Sequence, residues 1–170
     1  MNSYLESLRR EIEQTTGAVG AGALAHAPNG KWSAAQILEH LFLTYKNTTK
    51  GLAKCLEQGA PSASRPTVRD RVATALVTGI GYLPNGRVAP ERVMPRGIAP
   101  EEVRREIATA LEKLGESLDA CERRFGSRTK ILNHPFLGPL TANEWRKFHL
   151  VHGRHHVRQI RERLRSSEPG

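Results

Sequence analysis

Long apolar runs are missing from this chain. No stretch approaches the roughly 18–20 residues that cross a bilayer, which argues against a membrane-spanning helix. The opening residues, MNSYLESLRREIEQ, lack the apolar core and cleavage site of a signal peptide, so the expected compartment is the cytoplasm. Cysteine is scarce. Cys55 and Cys121 lie far apart and form no CxxC, which argues against a disulfide framework or a thiolate zinc site; both are expected as small buried hydrophobes. Aromatic residues make up 5% of the chain, too few for a base-stacking surface. Alternating strand periodicity and internal repeats are also lacking.

What is present is the composition of an ordinary globular protein. The 170 residues are 38% hydrophobic and 25% charged, which fits one domain over residues 1–170. The net charge of +9, from 26 Lys+Arg against 17 Asp+Glu, permits an acidic partner. The cations are scattered, with some excess near the C-terminus at Arg154, Arg158, Arg161, Arg163 and Arg165. With aromatics so few, a solvated basic face is the simpler reading and nucleic-acid binding the less favoured one.

Helical periodicity runs through most of the chain. A first helix is expected from Ser3, boxed by Glu6, to Gly17, followed by a Gly/Ala-rich linker to Gly30. The second helix has a sharper start. Ser33 and Gln36 form a capping box, and Trp32 and Ile37 occupy the positions of a hydrophobic staple. It should run to about Glu57, where Gly59 and Pro61 stop it. A short helix fits residues 67–82, and the Pro/Gly-rich residues 83–100 read as loop. The third long helix fits Pro100 to Phe125, and Asn133–Pro139 reads as a turn. The last helix opens with Thr141 boxed by Glu144 and Leu140 stapled to Trp145, and runs to about Arg165. Four amphipathic helices with one long connection between the second and third predict an all-α four-helix bundle.

Four of the seven histidines fall within eight residues: His149, His152, His155 and His156. At about 100° per residue, His156 lies about 40° from His152 and His149 about 60° on the same side, whereas His155 lies about 60° on the other. Trp145 projects near His152, so His152 and His156 share the core-facing stripe. Side chains at i and i+4 can converge on one metal ion, leaving positions for a ligand from another element. His40, at the edge of the stripe formed by Ile37 and Leu41, is the best candidate. The pair alone fits either a metal site or hydrogen-bonded core histidines, and His149 with His152 forms a rival, shifted site. The zinc-protease pattern HExxH is absent, because Gly153 stands where its glutamate would be. His155 is placed to hydrogen-bond a neighbour. His134 sits in a turn, either near the open end of the fold or at the surface. His26 is expected to be exposed.

Two segments carry a family resemblance. Lys31-Trp32-Ser33-Ala34-Ala35-Gln36-Ile37-Leu38-Glu39-His40-Leu41 resembles the second-helix motif of the DinB/YfiT-like superfamily, and His152-Gly153-Arg154-His155-His156-Val157-Arg158-Gln159-Ile160 resembles its fourth-helix motif. The run His134-Pro135-Phe136-Leu137-Gly138, followed by Leu140-Thr141 and Trp145, resembles a subfamily of unknown function within it. Residues 60–100 have no such counterpart. The resemblance implies a four-helix bundle and a divalent metal, zinc or nickel, held by His40, His152 and His156. It also implies a homodimer, and relatives that include thiol-dependent S-transferases and a maleylpyruvate isomerase using low-molecular-weight thiols.

The leading expectation is therefore a metal-dependent enzyme acting on a small-molecule substrate, either as a hydrolase or as a thiol-dependent transferase. The competing readings are a non-catalytic metal-binding or stress-response module and, behind it, a basic nucleic-acid-binding protein.

Overall fold

Local sequence signals set the boundaries of the elements. A computed structural model describes residues 2–27, 30–81 and 89–166, and these are mostly helical. Helix α1 spans Ser3–Thr16, α2 Ala21–Ala25, α3 Ala34–Gln58, α4 Val68–Ile80, α5 Pro100–Phe125 and α6 Ala142–Arg165. Strands β1 (Leu132–His134) and β2 (Gly138–Leu140) pair antiparallel, with Leu132 opposite Leu140 and His134 opposite Gly138. The capping boxes at Ser33–Gln36 and Thr141–Glu144 both form, and a third, Thr67–Asp70, starts α4. Gly59 ends α3 at φ 71°, a left-handed conformation that costs glycine nothing.

The structure departs from the sequence reading at four places. Asn2, not Ser3, caps α1, its side chain accepting from the Tyr4 N–H. The expected linker to Gly30 contains α2, a helix too short to show a period. The expected turn at 133–139 is a hairpin whose three-residue strands are equally too short. The expected loop over 83–100 contains a 3-10 turn at Glu91–Val93, while its residues 83–88 lie outside the described residues.

The four long helices pack against one another. Helix α3 lies along α5 and α6, and α1 lies along α6 and α5. Their inward faces form one apolar cluster, from Leu5 and Leu8 through Leu38, Leu41 and Leu52 to Leu111, Leu118 and Ile160. Cys55 and Cys121 are free and buried within it. Gly153 lets α1 approach α6 closely, because a Cβ there would collide with the Leu8 side chain. Arg146 of α6 is 4% exposed and pairs with Asp119 at 2.6 Å and Glu122 at 2.8 Å on α5, tying those helices together. Among the described residues, no helix is long and apolar enough to cross a membrane.

Candidate metal centre

Helix α3 brings His40 to the wall of an open cleft of about 1560 Å³. The ring is 4% exposed, and its Nδ1 lies 2.8 Å from the Val93 carbonyl oxygen. A carbonyl can only accept, so Nδ1 carries the proton and Nε2 presents a lone pair. Val93 is positioned by the residue before His40. The Glu39 carboxylate, 2% exposed, accepts from the Arg96 N–H at 2.6 Å and the Gly97 N–H at 3.2 Å.

Helix α6 supplies His152 and His156, one turn apart and partly exposed to the same cleft. His156 Nδ1 donates to Gln159 Oε1 at 2.8 Å, while Gln159 Nε2 donates to His155 Nε2 at 3.1 Å. Gln159 thereby fixes a second lone pair, on His156 Nε2. The Nε2 atom of His152 lies 3.4 Å from that of His40 and 3.1 Å from that of His156. A proton on His152 Nε2 could satisfy one facing lone pair but not both. A cation among the three satisfies all of them.

The donor set fits such an ion. One ligand atom from each of His40, His152 and His156 lies within 4.8 Å of the others, so this group could hold a metal ion. Ligand distances of about 2.0–2.1 Å place neighbouring tetrahedral nitrogens about 3.3–3.4 Å apart, close to the two separations observed. All three rings also favour the neutral form that binds metal. Burial pushes His156 down to about 3 and His152 well below the usual imidazole range. Burial lowers His40 too, against the opposing hydrogen bond to Val93. The Nδ1 of His152 is buried without a hydrogen-bond partner among the described residues.

The remaining histidines are not members of this group. His149, the rival ligand, is fully buried between Tyr45 and Trp145, their ring centroids each 5.6 Å from its own. Among the described residues, the three-residue group that could hold a metal ion contains His152 but not His149. His155 is turned aside to Gln159. His134 Nδ1 accepts from the Phe136 and Leu137 N–H groups at 3.2 Å, and its ring lies 4.2 Å from Phe148 on the cleft wall. His26 is exposed beyond α2. Sequence reasoning missed the roles of Glu39, Val93 and Gln159. The usable signal was Glu39, an acidic residue among apolar positions of α3. The backbone partner Val93 left no signal in the sequence.

Residues 10–163 match a family described as Protein of unknown function (DUF1569). The chain belongs to that family. The DUF1569 match runs from α1 to α6 and includes all three clustered histidines. No curated protein and no solved structure matches the chain.

Proposed function

We propose that this DUF1569 protein is a metal-dependent enzyme for a small-molecule substrate, built on a DinB/YfiT-like four-helix bundle. The carrying observation is the convergence of three imidazole Nε2 atoms at the wall of an open cleft. The mutual packing of α1, α3, α5 and α6, and the long connection between α3 and α5, support the bundle reading. Three neutral imidazoles suit zinc or nickel. A divalent ion held there would supply Lewis acidity, lowering the pKa of a water or low-molecular-weight thiol that shares the site. The chain's own contribution is orientation. Val93 and Gln159 hold two ligand tautomers, and such outer partners commonly govern metal affinity. Trp32 and Phe148 give the cleft an apolar wall for the body of a substrate. Water as nucleophile makes the enzyme a hydrolase, and a thiol makes it an S-transferase.

The test is metal stoichiometry of single alanine variants, followed by ester and thiol-transfer substrates with and without chelator. His40→Ala, His152→Ala and His156→Ala should lose the metal, while His149→Ala and His155→Ala should keep it. Loss with His149→Ala and retention with His156→Ala would refute the assignment. Tight metal binding without chelator-sensitive turnover would instead favour a non-catalytic module.

A further inference from the structure

Arg146 and Arg163 are both shielded from water, and they are treated differently. Arg146 has two carboxylates within hydrogen-bond distance, as a buried cation requires. The Arg163 side chain is 13% exposed, yet its only ion-pair contact among the described residues is Glu162, 3.9 Å away and itself 56% exposed. Its Nε donates to the Trp32 carbonyl oxygen at 3.0 Å. Its two terminal nitrogens make no hydrogen bond among the described residues.

Arg163 stands beside the histidine cluster. Trp32, whose carbonyl it holds, packs its ring 5.4 Å from that of His40. Along α6, Arg163 follows His156 by seven residues, two turns on the same face and about 10 Å along the axis. Arg92 approaches from the 3-10 turn, next to Val93; its side chain is exposed and makes no ion pair among the described residues. Lys31, Lys50, Lys54 and Arg158 also line the cleft, and Glu162 is its one acidic lining residue among those described.

We infer that Arg163 and Arg92 form an oxyanion subsite beside the three histidines, so that the cleft takes an anionic small molecule with an apolar body. This inference rests on the proposed ligand cleft and names its substrate class. A guanidinium fork offers two parallel N–H donors to a carboxylate or phosphate, and Trp32 and Phe148 meet the apolar part. Arg163 and His156 line the same cleft, about 10 Å apart along the α6 axis, and the body would lie between them with its reacting group at the histidines.

The test is calorimetry on the full chain with three probes, benzoate, phenyl phosphate and the neutral benzyl alcohol, with metal content measured in the same samples. Both anions should bind at least about tenfold more tightly than benzyl alcohol. Arg163→Gln should weaken anion binding about tenfold, the loss expected for a hydrogen bond to a charged group, without changing benzyl alcohol. Arg163→Lys should recover part of the loss. Arg92 is exposed, so Arg92→Gln should cost about threefold and serves where Arg163→Gln fails to fold. The stronger of the two anions identifies the oxyanion. Equal binding of all three probes, or anion binding unchanged in both glutamine variants, would overturn the inference. A metal-free chain that still loses anion affinity in Arg163→Gln would sink the metal reading and leave this one standing.

Discussion

Glu39→Gln isolates the contact that anchors the segment facing His40. Gln keeps the shape of the side chain and one acceptor oxygen, but it turns an N–H₂ group toward one of two backbone N–H donors. The Glu39 carboxylate is 2% exposed and accepts at 2.6 and 3.2 Å from Arg96 and Gly97. Hydrogen bonds to a charged group contribute about 1.5–3 kcal/mol each, and a buried donor left unmatched costs a further 1–3 kcal/mol. Losing one bond and weakening the other should therefore destabilise the chain by about 2–4 kcal/mol. At roughly 2–4 °C per kcal/mol for a chain of this size, the melting temperature should fall by about 5–15 °C. The second consequence falls on the metal. Arg96 and Gly97 anchor the segment that presents the Val93 carbonyl to His40, and loss of such an outer contact typically weakens metal affinity about 10–100-fold. The assay is thermal melting with a competitive metal titration. Glu57→Gln, an exposed position on the same helix with the same change in charge, is the control. If Glu39→Gln melts with that control and keeps its metal affinity, the anchoring argument is wrong.

Two further outcomes follow from burial. Burial pushes His149 down to about 3, with the charge of His134 adding to the effect, and its neighbours Tyr45, Trp145 and Phe148 offer no acid. The unfolded imidazole takes a proton below about 6.5 and the folded one does not, so stability falls as pH falls from about 6.5 towards 3. Urea unfolding of metal-free protein should lose about 2 kcal/mol more between pH 7 and pH 5 in the wild type than in His149→Phe, and equal slopes would refute this. Gly153→Ala should cost about 1–3 kcal/mol despite its better helix propensity, because the new Cβ collides with Leu8. Wild-type stability in urea would show that α1 and α6 have room to part.

The sequence was legible where a long helix enforces its own period. The boxes at Ser33 and Thr141 fix the registers of α3 and α6, and those registers carry His40, His152 and His156 inward. It was less legible where choices are local. Asn2 and Ser3 are adjacent, and both are good caps, so spacing alone cannot choose between them. The rotation of His149 places it on the same side as His152, but its depth is set by Tyr45 on another helix. Glu39 escaped because its partners are backbone N–H groups of an irregular segment, which any residue can supply.

The segment between α3 and α5 was expected as a crossover, a length of chain needed to reach the next helix. Its contacts give it a larger part. Adjacent residues of α3 grip it at two points: Glu39 through the amides of Arg96 and Gly97, and His40 through the carbonyl of Val93. These bonds span more than 50 residues, so they form only when the connection is folded back against α3. The coupling runs both ways. The helix that carries His40 holds the segment, and the segment fixes the tautomer of His40. The same 3-10 turn also carries Arg92 to the cleft. A long insertion in a surface loop is tolerated because closing it costs little entropy. This one is tied to α3 by a buried carboxylate, and the carbonyl that meets His40 comes from it. Shortening the segment between Val93 and Gly97 would therefore act on His40 before it acted on the core.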